Sequence, residues 1–292
     1  MTLLRSTLVL LTLSLFVALN THAAEAPFYV IAHMANTPAA GAWAIKQGAN
    51  GLEMDIHFDQ AGQPSHFLHG GKCDCFCATR TDSICRVLAR KGKRLTNPCE
   101  AESTAMDMWA FLAQQANLQI LILDSKVPVE LDAEAQTLRG QNLIQTLANT
   151  LLNQTNPDNK FKGAIVVSVA ALTQEAYIAG AARKLAELNL QDRVLLSFDQ
   201  EEDRAEAVLE KLQAFGVQRI AYGTGASACY PNQYVAAIRR TAALTNQRPE
   251  LVYTWTIDRS ESMRQYLDAG VQGILTNRPA RLRALLGATG AR

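Results

Sequence analysis

The sequence lacks an excess of charge of either sign. Its 28 lysines and arginines are matched by 27 aspartates and glutamates, and the net charge is +1 at pH 7. This balance predicts no nucleic-acid partner and no strongly basic membrane-binding face. Internal repeats, low-complexity tracts and linker-like segments are also lacking. With 292 residues, 48% of them apolar, the chain is predicted to form one large globular domain, which we expect to be monomeric.

The sequence also lacks an apolar run long enough to cross a membrane comfortably. Arg5 precedes a short leucine-rich run over 8–19, and small residues follow at 21–26. A basic start, a short apolar run and a small-residue site are typical of a signal peptide. We therefore predict a signal peptide over 1–23, cleaved after Ala23 or Ala24, and a secreted (extracellular or periplasmic) protein without a transmembrane segment. A buried N-terminal helix is the alternative.

Cysteine is sparse, but its count is even. The six cysteines are Cys73, Cys75, Cys77, Cys85, Cys99 and Cys229. An even number in an exported chain predicts disulfides, although six cysteines allow 15 pairings. The C-x-C-x-C run could instead bind a soft metal, but an oxidising compartment favours disulfides.

Short β-rich segments alternate with helix-compatible segments along the mature chain. Strands are predicted at 28–33, 50–58, 118–125, 164–169, 193–199, 219–224, 251–257 and 271–276. Helical patterns fall at 37–48, 102–116, 134–154, 171–189, 201–215, 231–244 and 259–269. This alternation predicts a parallel sheet, and eight strands are the number that closes a TIM-type barrel. The predicted fold is a single (β/α)8 barrel of the α/β class over 24–292.

A long polar loop interrupts this alternation after the second strand. The segment 65–69 follows a turn-like stretch at 59–64 and is predicted to be a return strand above the barrel. The loop from Gly70 to about Ala101 contains five of the six cysteines. A loop of this length is usually functional, so we expect disulfides to hold it at the C-terminal face.

Ionisable side chains fall at the ends of the first three predicted strands. They are His33, Glu53, Asp55, Asp124 and Lys126. Residues two apart on a strand point to the same face, and the C-terminal ends of barrel strands converge on the rim that carries active sites. We therefore expect these five side chains to meet, with His69 brought over them by the return strand.

Three converging carboxylates predict a bound cation. Glu53, Asp55 and Asp124 would repel one another, and an all-oxygen ligand set favours Mg²⁺ or Ca²⁺ over zinc. Such an ion could polarise a phosphoryl oxygen while Lys126 neutralises developing charge. Two histidines on opposite sides of the ion suit in-line displacement at a phosphodiester.

The same strand geometry applies to three other residues. His57 and His66 have the wrong parity relative to the proposed ligands and are predicted to be structural or exposed. Trp255 ends the seventh strand on the active rim. It is therefore a candidate wall for a quaternary ammonium group through cation–π attraction, with core packing as the alternative.

The chain resembles the sphingomyelinase D / phospholipase D toxins of spider venom and some bacteria and fungi, a family related to the glycerophosphodiester phosphodiesterases. Six stretches carry the resemblance in family order, namely IAHMAN at 31–36, GANGLEMDIHFD at 48–59, LHGGKCDC at 68–75, LDSK at 123–126, YTWTID at 253–258 and DAGVQGILTN at 268–277. Together they cover nearly the whole mature chain.

The resemblance implies a specific site. It makes His33 and His69 the catalytic pair, and Glu53, Asp55 and Asp124 the Mg²⁺ ligands. It assigns the lining of the substrate site to Lys126, Trp255, Asp258 and Asn277. It also implies a disulfide between Cys75 and Cys229, with Cys73 expected to pair within the cysteine loop with Cys77 or Cys85.

The implied activity is that of a secreted, Mg²⁺-dependent phospholipase D acting on phospholipid at a membrane surface. It would release choline from sphingomyelin or lysophosphatidylcholine and form a cyclic phosphate by attack of the lipid's own hydroxyl. Two alternatives stay open, a glycerophosphodiester phosphodiesterase that hydrolyses soluble diesters and a non-catalytic secreted binding barrel. The chain also lacks the Asp-Asn-Pro-Trp tail element that is common in this family.

Overall fold

The computed structural model of the protein describes residues 28–77, 82–91, 94–152, 161–200, 205–246 and 248–289. The predicted signal peptide, 1–23, lies outside them. The strands are β1 (Tyr29–Ala32), β2 (Gly51–Phe58), β3 (Pro64–Phe67), β4 (Arg90–Lys91), β5 (Arg94–Leu95), β6 (Ser103–Thr104), β7 (Ile120–Ser125), β8 (Ala164–Val169), β9 (Val194–Gln200), β10 (Ala221–Gly225), β11 (Leu251–Trp255) and β12 (Gly273–Thr276).

The helices lie mostly between the parallel strands. They are α1 (Pro38–Lys46), α2 (Ile84–Leu88), α3 (Ala105–Leu112), α4 (Ala133–Asn149), α5 (Glu175–Glu187), α6 (Ala205–Ala214), α7 (Val235–Ala242), α8 (Ser260–Asp268) and α9 (Pro279–Thr289). Within the described residues, no helix combines the length and apolar character needed to cross a membrane.

Eight of the strands close into a parallel barrel. They follow one another around the ring as β1, β2, β7, β8, β9, β10, β11 and β12, and β12 pairs with β1 to complete it. All eight predicted strands are therefore present, and the predicted TIM-type barrel is confirmed. The C-terminal helix α9 was not predicted, although Pro279 at its start and Leu282, Leu285 and Leu286 at helical spacing carry its signal.

The barrel strands are apolar on both faces because both faces are covered. On β7, Ile120 and Ile122 join the cluster inside the barrel, whereas Leu121 and Leu123 pack beneath the surrounding helices. Asp124 continues the inward series at the C-terminal end of the strand. The alternation of side chains along β7 therefore places one polar side chain on the inward face of the strand, at the mouth of the barrel.

The predicted return strand is present as β3. It pairs antiparallel with the end of β2, with Ile56 opposite Phe67 and His57 opposite His66. The short strand β6 pairs antiparallel with β3 on its other side. The chain that leaves β3 therefore passes over the barrel mouth and carries His69 there.

Three disulfides hold the cysteine loop, but the predicted pairing was wrong. Cys73 pairs with Cys99, Cys75 with Cys85, and Cys77 with Cys229. A 3₁₀ turn over Asp74–Phe76 directs Cys75 inward against the buried Cys85 of α2, so Cys75 does not reach Cys229. The exposed Cys77 meets the exposed Cys229 instead. Cys73 does pair within the cysteine loop, as expected, but with Cys99 and not with Cys77 or Cys85.

We expect the disulfides to differ in their contribution to stability. Cys77–Cys229 spans 152 residues and Cys75–Cys85 spans 10. Chain-entropy arguments give about 5 kcal/mol for the first loop and about 3 kcal/mol for the second. Cys77→Ser/Cys229→Ser should therefore lower the free energy of unfolding in urea more than Cys75→Ser/Cys85→Ser does. Mapping of non-reduced peptides should recover Cys77 linked to Cys229, and a Cys75–Cys229 peptide would contradict the assignment.

Candidate active site

A cavity of about 390 Å³ opens at the C-terminal mouth of the barrel. Its lining residues are His33, Glu53, Asp55, His69, Asp124, Lys126, Ala170, Ala171, Asp199, Trp255 and Leu275. Most of them follow or end a barrel strand, as the C-terminal face of such a barrel requires. The structure thus brings together both predicted histidines, all three predicted carboxylates, Lys126 and Trp255.

The three carboxylates come from two neighbouring strands. Glu53 and Asp55 point inward from β2, and Asp124 lies directly beside Asp55 on β7 in the register of the sheet. One oxygen from each of the three lies within 4.8 Å of the other two. Backbone and amide donors fix two of these side chains. The Met34 N–H donates to Glu53 Oε2 at 2.7 Å, and Asn36 Nδ2 donates to Asp55 Oδ2 at 2.6 Å.

Lys126 balances part of this negative charge. Its Nζ lies 2.8 Å from Asp55 Oδ1 and 2.5 Å from Asp124 Oδ2. Burial alone would raise the pKa of Asp55, but Lys126, His69 and Asn36 bring that pKa below its ordinary value. Burial would likewise lower the pKa of Lys126, and the two aspartates instead hold it well above its usual range. The lysine and Asp55 are therefore both charged across the neutral range.

Glu53 is left without a cation of its own. Burial and then the charges of Asp55 and Asp124 raise its pKa well above the ordinary value, despite the donation from Met34. In addition, Asp124 Oδ1 is buried and has no hydrogen-bond partner in the described part of the chain. A divalent cation would neutralise this negative charge and bind the carboxylate oxygen that has no hydrogen-bond partner. The all-oxygen donor set suits a hard ion such as Mg²⁺ or Ca²⁺.

His33 is held by a chain of hydrogen bonds that starts outside the cavity. Asn277 donates its Nδ2 to Asp258 Oδ2 at 3.0 Å, which fixes the amide oxygen on the side of His33. His33 Nδ1 lies 3.1 Å from that oxygen, and because an amide oxygen only accepts, Nδ1 carries the proton. Neutral His33 therefore has an unprotonated Nε2, which lies 3.9 Å from Glu53 Oε2.

His69 lines the same cavity as His33. Its Nδ1 donates to the Gly70 carbonyl at 2.8 Å, so the neutral ring again leaves Nε2 unprotonated. The two ring centroids are 6.2 Å apart and their planes are nearly perpendicular. Two imidazoles, one beside Glu53 and one near enough to Asp55 to act on its charge, thus line one small cavity.

The remaining predicted residues fall into two groups. Asp258 and Asn277, expected to line the substrate site, are not among the residues that line the cavity. Asn277 instead hydrogen-bonds His33, and Asp258 accepts from the Asn277 amide. His57 and His66 are outside the cavity lining, as strand parity predicts, and stack on one another at a centroid distance of 4.7 Å. His57 Nε2 donates to the Leu68 carbonyl at 2.8 Å and so supports the segment that carries His69.

Sequence reasoning missed two acidic residues of the site. Asp74 Oδ2 lies 4.0 Å from His33 Nδ1 and is held there between two disulfide-bonded cysteines. Asp74 does not lie on a predicted strand, so no strand pattern in the sequence predicts its position. Asp199 lines the cavity from the end of β9. Its position could have been predicted from the sequence, because Asp199, like Asp124, is an aspartate at the end of an apolar strand.

Asp199 has a network of hydroxyl donors. Ser168 Oγ donates to its Oδ2 at 2.9 Å, Ser197 Oγ donates to its Oδ1 at 3.2 Å, and the Tyr253 hydroxyl also donates to Oδ1. Burial, reinforced by the charge of Asp124, nevertheless raises its pKa to about 7. Asp199 is thus a carboxyl whose charge changes near neutral pH beside the predicted cation site.

A parallel barrel with an acidic cluster that could hold a metal ion, and with two imidazoles at its mouth, is an arrangement suited to phosphodiester cleavage. The family described as dermonecrotic toxin SPH matches residues 23–290, and the chain belongs to that family. With this membership, the prediction of a phosphodiesterase of the phospholipase D type is confirmed.

Individual relatives agree with this assignment. A dermonecrotic toxin of Sicarius terrosus is 28% identical over 270 residues, which cover 89% of this chain and 91% of the toxin. A Loxosceles intermedia dermonecrotic toxin is 28% identical over 280 residues, covering 91% and 87%.

Solved structures share the fold at lower sequence identity. A Silicibacter pomeroyi protein attributed to the glycerophosphoryl diester phosphodiesterases superposes with a TM-score of 0.61 at 14% identity, covering 91% of this chain and 95% of its own. A Parabacteroides distasonis glycerophosphodiester phosphodiesterase gives 0.56 at 14% identity, covering 91% and 100%. At these identities, the likeness concerns the barrel.

We predict that Asp199 makes stability depend on pH in metal-free buffer. The unfolded carboxyl loses its proton near 3.8, whereas the folded one keeps it to about pH 7. The folded state therefore binds more protons in this window, and stability falls as the pH rises through it. Asp199→Asn should remove this loss, which amounts to no more than about 4 kcal/mol. Urea unfolding at pH 5 and pH 8 measures it, with the exposed Asp192→Asn as control, and equal pH dependence in all three proteins would contradict it.

Proposed function

We propose that this chain is a secreted, Mg²⁺-dependent phospholipase D that cleaves choline lipids, such as sphingomyelin or lysophosphatidylcholine, to choline and a cyclic phosphate. The observation that carries the proposal is the pair of imidazoles, His33 and His69, which line the same cavity as the carboxylate cluster with ring centroids 6.2 Å apart. Secretion is supported by the three disulfides, which persist in oxidising compartments.

Glu53, Asp55 and Asp124 would hold the cation. When bound, Mg²⁺ would supply charge stabilisation to a non-bridging phosphoryl oxygen. Lys126 Nζ, already placed between Asp55 and Asp124, can donate to the same phosphoryl group and neutralise charge that develops on it. Because both faces of the strands are covered, these side chains keep their positions without substrate.

The histidines would move the protons. The lipid's hydroxyl attacks phosphorus, and its proton passes to the unprotonated Nε2 of one histidine. The bond from phosphorus to the choline oxygen then breaks, and that oxygen takes a proton from Nε2 of the other histidine, which enters the reaction as the imidazolium and leaves it as the neutral ring. Asn277 and Asp258 fix the Nδ1 proton of His33, as a base with its lone pair at Nε2 requires. An alkoxide leaves poorly at neutral pH, so both groups are needed.

Trp255 is the proposed wall for the choline headgroup. It lines the cavity at the end of β11, and its ring offers a face to a quaternary ammonium group. Its indole Nε1 is buried, so the ring and not this N–H is what the cavity presents.

Phosphorus NMR of the products tests the proposed reaction. Incubation with sphingomyelin and with lysophosphatidylcholine should give a cyclic phosphate signal together with free choline. A linear monoester as the first product would show that water is the attacking group. That result, or turnover of water-soluble glycerophosphodiesters in preference to lipids, would favour the glycerophosphodiesterase alternative.

Removal of the cation should abolish activity. Chelation with EDTA is expected to stop choline release, and added Mg²⁺ should restore it, because the phosphoryl group would otherwise meet uncompensated carboxylates. Asp55→Asn should lower activity at least 100-fold and weaken Mg²⁺ binding in calorimetry while leaving the fold intact, since removing one charged ligand weakens a hard-ion site. Glu130→Gln, on the exposed loop after β7, is the matched control. Undiminished activity in EDTA would refute the metal proposal.

Substitution of His33 or His69 should lower activity far more than substitution of the nearby His57. His33→Asn and His69→Asn are each expected to lower kcat by about 10²–10⁴-fold, as for loss of a general acid or base. His57→Asn removes only the support of the Leu68 carbonyl, so we expect it to stay within about tenfold of the parent. Native circular dichroism should accompany each measurement. If His57→Asn proved as damaging as the other two, the assigned roles would be wrong. Trapping of a phosphohistidine at His33 would replace the acid–base scheme by covalent catalysis.

A further inference from the structure

Large apolar side chains are exposed on the face where the cavity opens. The described residues include five exposed large apolar side chains, Phe76, Met106, Val129, Leu138 and Tyr230. Phe76, Val129 and Tyr230 lie on loops that follow barrel strands and so surround the mouth of the barrel. Phe76 and Tyr230 are 71% and 69% exposed, although aromatic rings usually bury most of their surface.

The Cys77–Cys229 disulfide joins the two loops that carry Phe76 and Tyr230. Phe76 precedes Cys77 and Tyr230 follows Cys229, and the two cysteine Cα atoms are 5.5 Å apart. Because successive Cα atoms are about 3.8 Å apart, the Cα atoms of the two aromatic residues lie within about 13 Å of each other. One covalent bond, between cysteines 152 positions apart in sequence, thus joins the two loops that carry these aromatic residues.

Both rings stand on backbone that is already ordered. Phe76 ends a 3₁₀ turn in which the Cys77 N–H donates to the Asp74 carbonyl at 2.9 Å. Tyr230 closes a turn in which its own N–H donates to the Ser227 carbonyl at 2.8 Å. Little conformational freedom of the backbone remains to be lost when a partner covers these rings.

We propose that Phe76 and Tyr230 form an anchor that inserts into the headgroup region of a phospholipid surface and places the cavity over it. The inference rests on the proposed function, because a lipid held in a bilayer must reach a cavity that opens beside these rings. A tyrosine, with an apolar ring and a hydroxyl that stays hydrated, suits the boundary between acyl chains and water. On a zwitterionic phospholipid surface, apolar insertion of these two exposed rings is the source of affinity.

The test compares Phe76→Ala/Tyr230→Ala with the parent protein. Co-sedimentation with vesicles of phosphatidylcholine and sphingomyelin in equal parts, in EDTA to prevent turnover, should show binding reduced on the order of tenfold per ring. The binding of the parent should change little with salt. Leu138→Ala, an exposed leucine on the side of the barrel in α4, is the control and should bind like the parent. Phe76→Trp should retain binding, and its emission should shift to the blue on vesicles.

Measurements of choline release distinguish a loss of membrane anchoring from a loss of catalysis. With Mg²⁺ present, the double variant should lose activity on vesicles while keeping that on monomeric short-chain lysophosphatidylcholine within about twofold, since the rings do not line the cavity. Unchanged vesicle binding in the double variant, or an equal loss in Leu138→Ala, would overturn the anchor. Concentration-dependent self-association that the double variant loses, without vesicle binding by the parent, would assign the rings to a second copy of the chain instead. Ring-dependent vesicle binding without choline release would refute the proposed function but leave the anchor standing.

Discussion

The repulsion among Glu53, Asp55 and Asp124 is the constraint on which the site depends. The register between β2 and β7 places the two aspartates side by side, and strand parity adds the glutamate on the same face. The side chains cannot move apart without breaking a barrel that is buried on both faces. The charge must therefore be balanced locally. Lys126 balances part of it, and the raised pKa of Glu53 together with the unpartnered oxygen of Asp124 shows how much remains.

The same constraint explains why the surrounding residues are rigidly supported. A phosphoryl group between a cation and two imidazoles requires those imidazoles to be fixed in position and in tautomer. Asp258 and Asn277 do this for His33, and the Gly70 carbonyl does it for His69. The disulfides extend this support to the cysteine loop. That loop is also fastened to the barrel by the Ile84 N–H, which donates to the Asn277 carbonyl at 2.9 Å.

Strand parity and position at strand ends predicted the barrel and most of the cavity, because both are local properties of the sequence. His33, Glu53 and Asp124 could be found since parallel strands carry inward side chains to one rim. The cysteine pairing could not be found this way. It depends on which of Cys75 and Cys77 the 3₁₀ turn directs towards the buried Cys85 and which towards the exposed Cys229. Asp258 was misplaced for a related reason, because a sequence motif does not distinguish a residue lining a cavity from one that supports a lining residue.

Asp199 shows how the cation site and the pocket beside it are coupled. Burial and the charge of Asp124 both oppose its ionisation, while three hydroxyl donors favour it, and the balance lies near neutral pH. A cation bound by Asp124 would remove one of the two opposing effects. It would therefore lower the pKa of Asp199 and leave a carboxylate in the cavity together with the Trp255 ring. A cationic headgroup would then meet both an aromatic face and a negative charge. Metal binding and headgroup recognition would thus reinforce one another through electrostatics alone, without movement of the barrel.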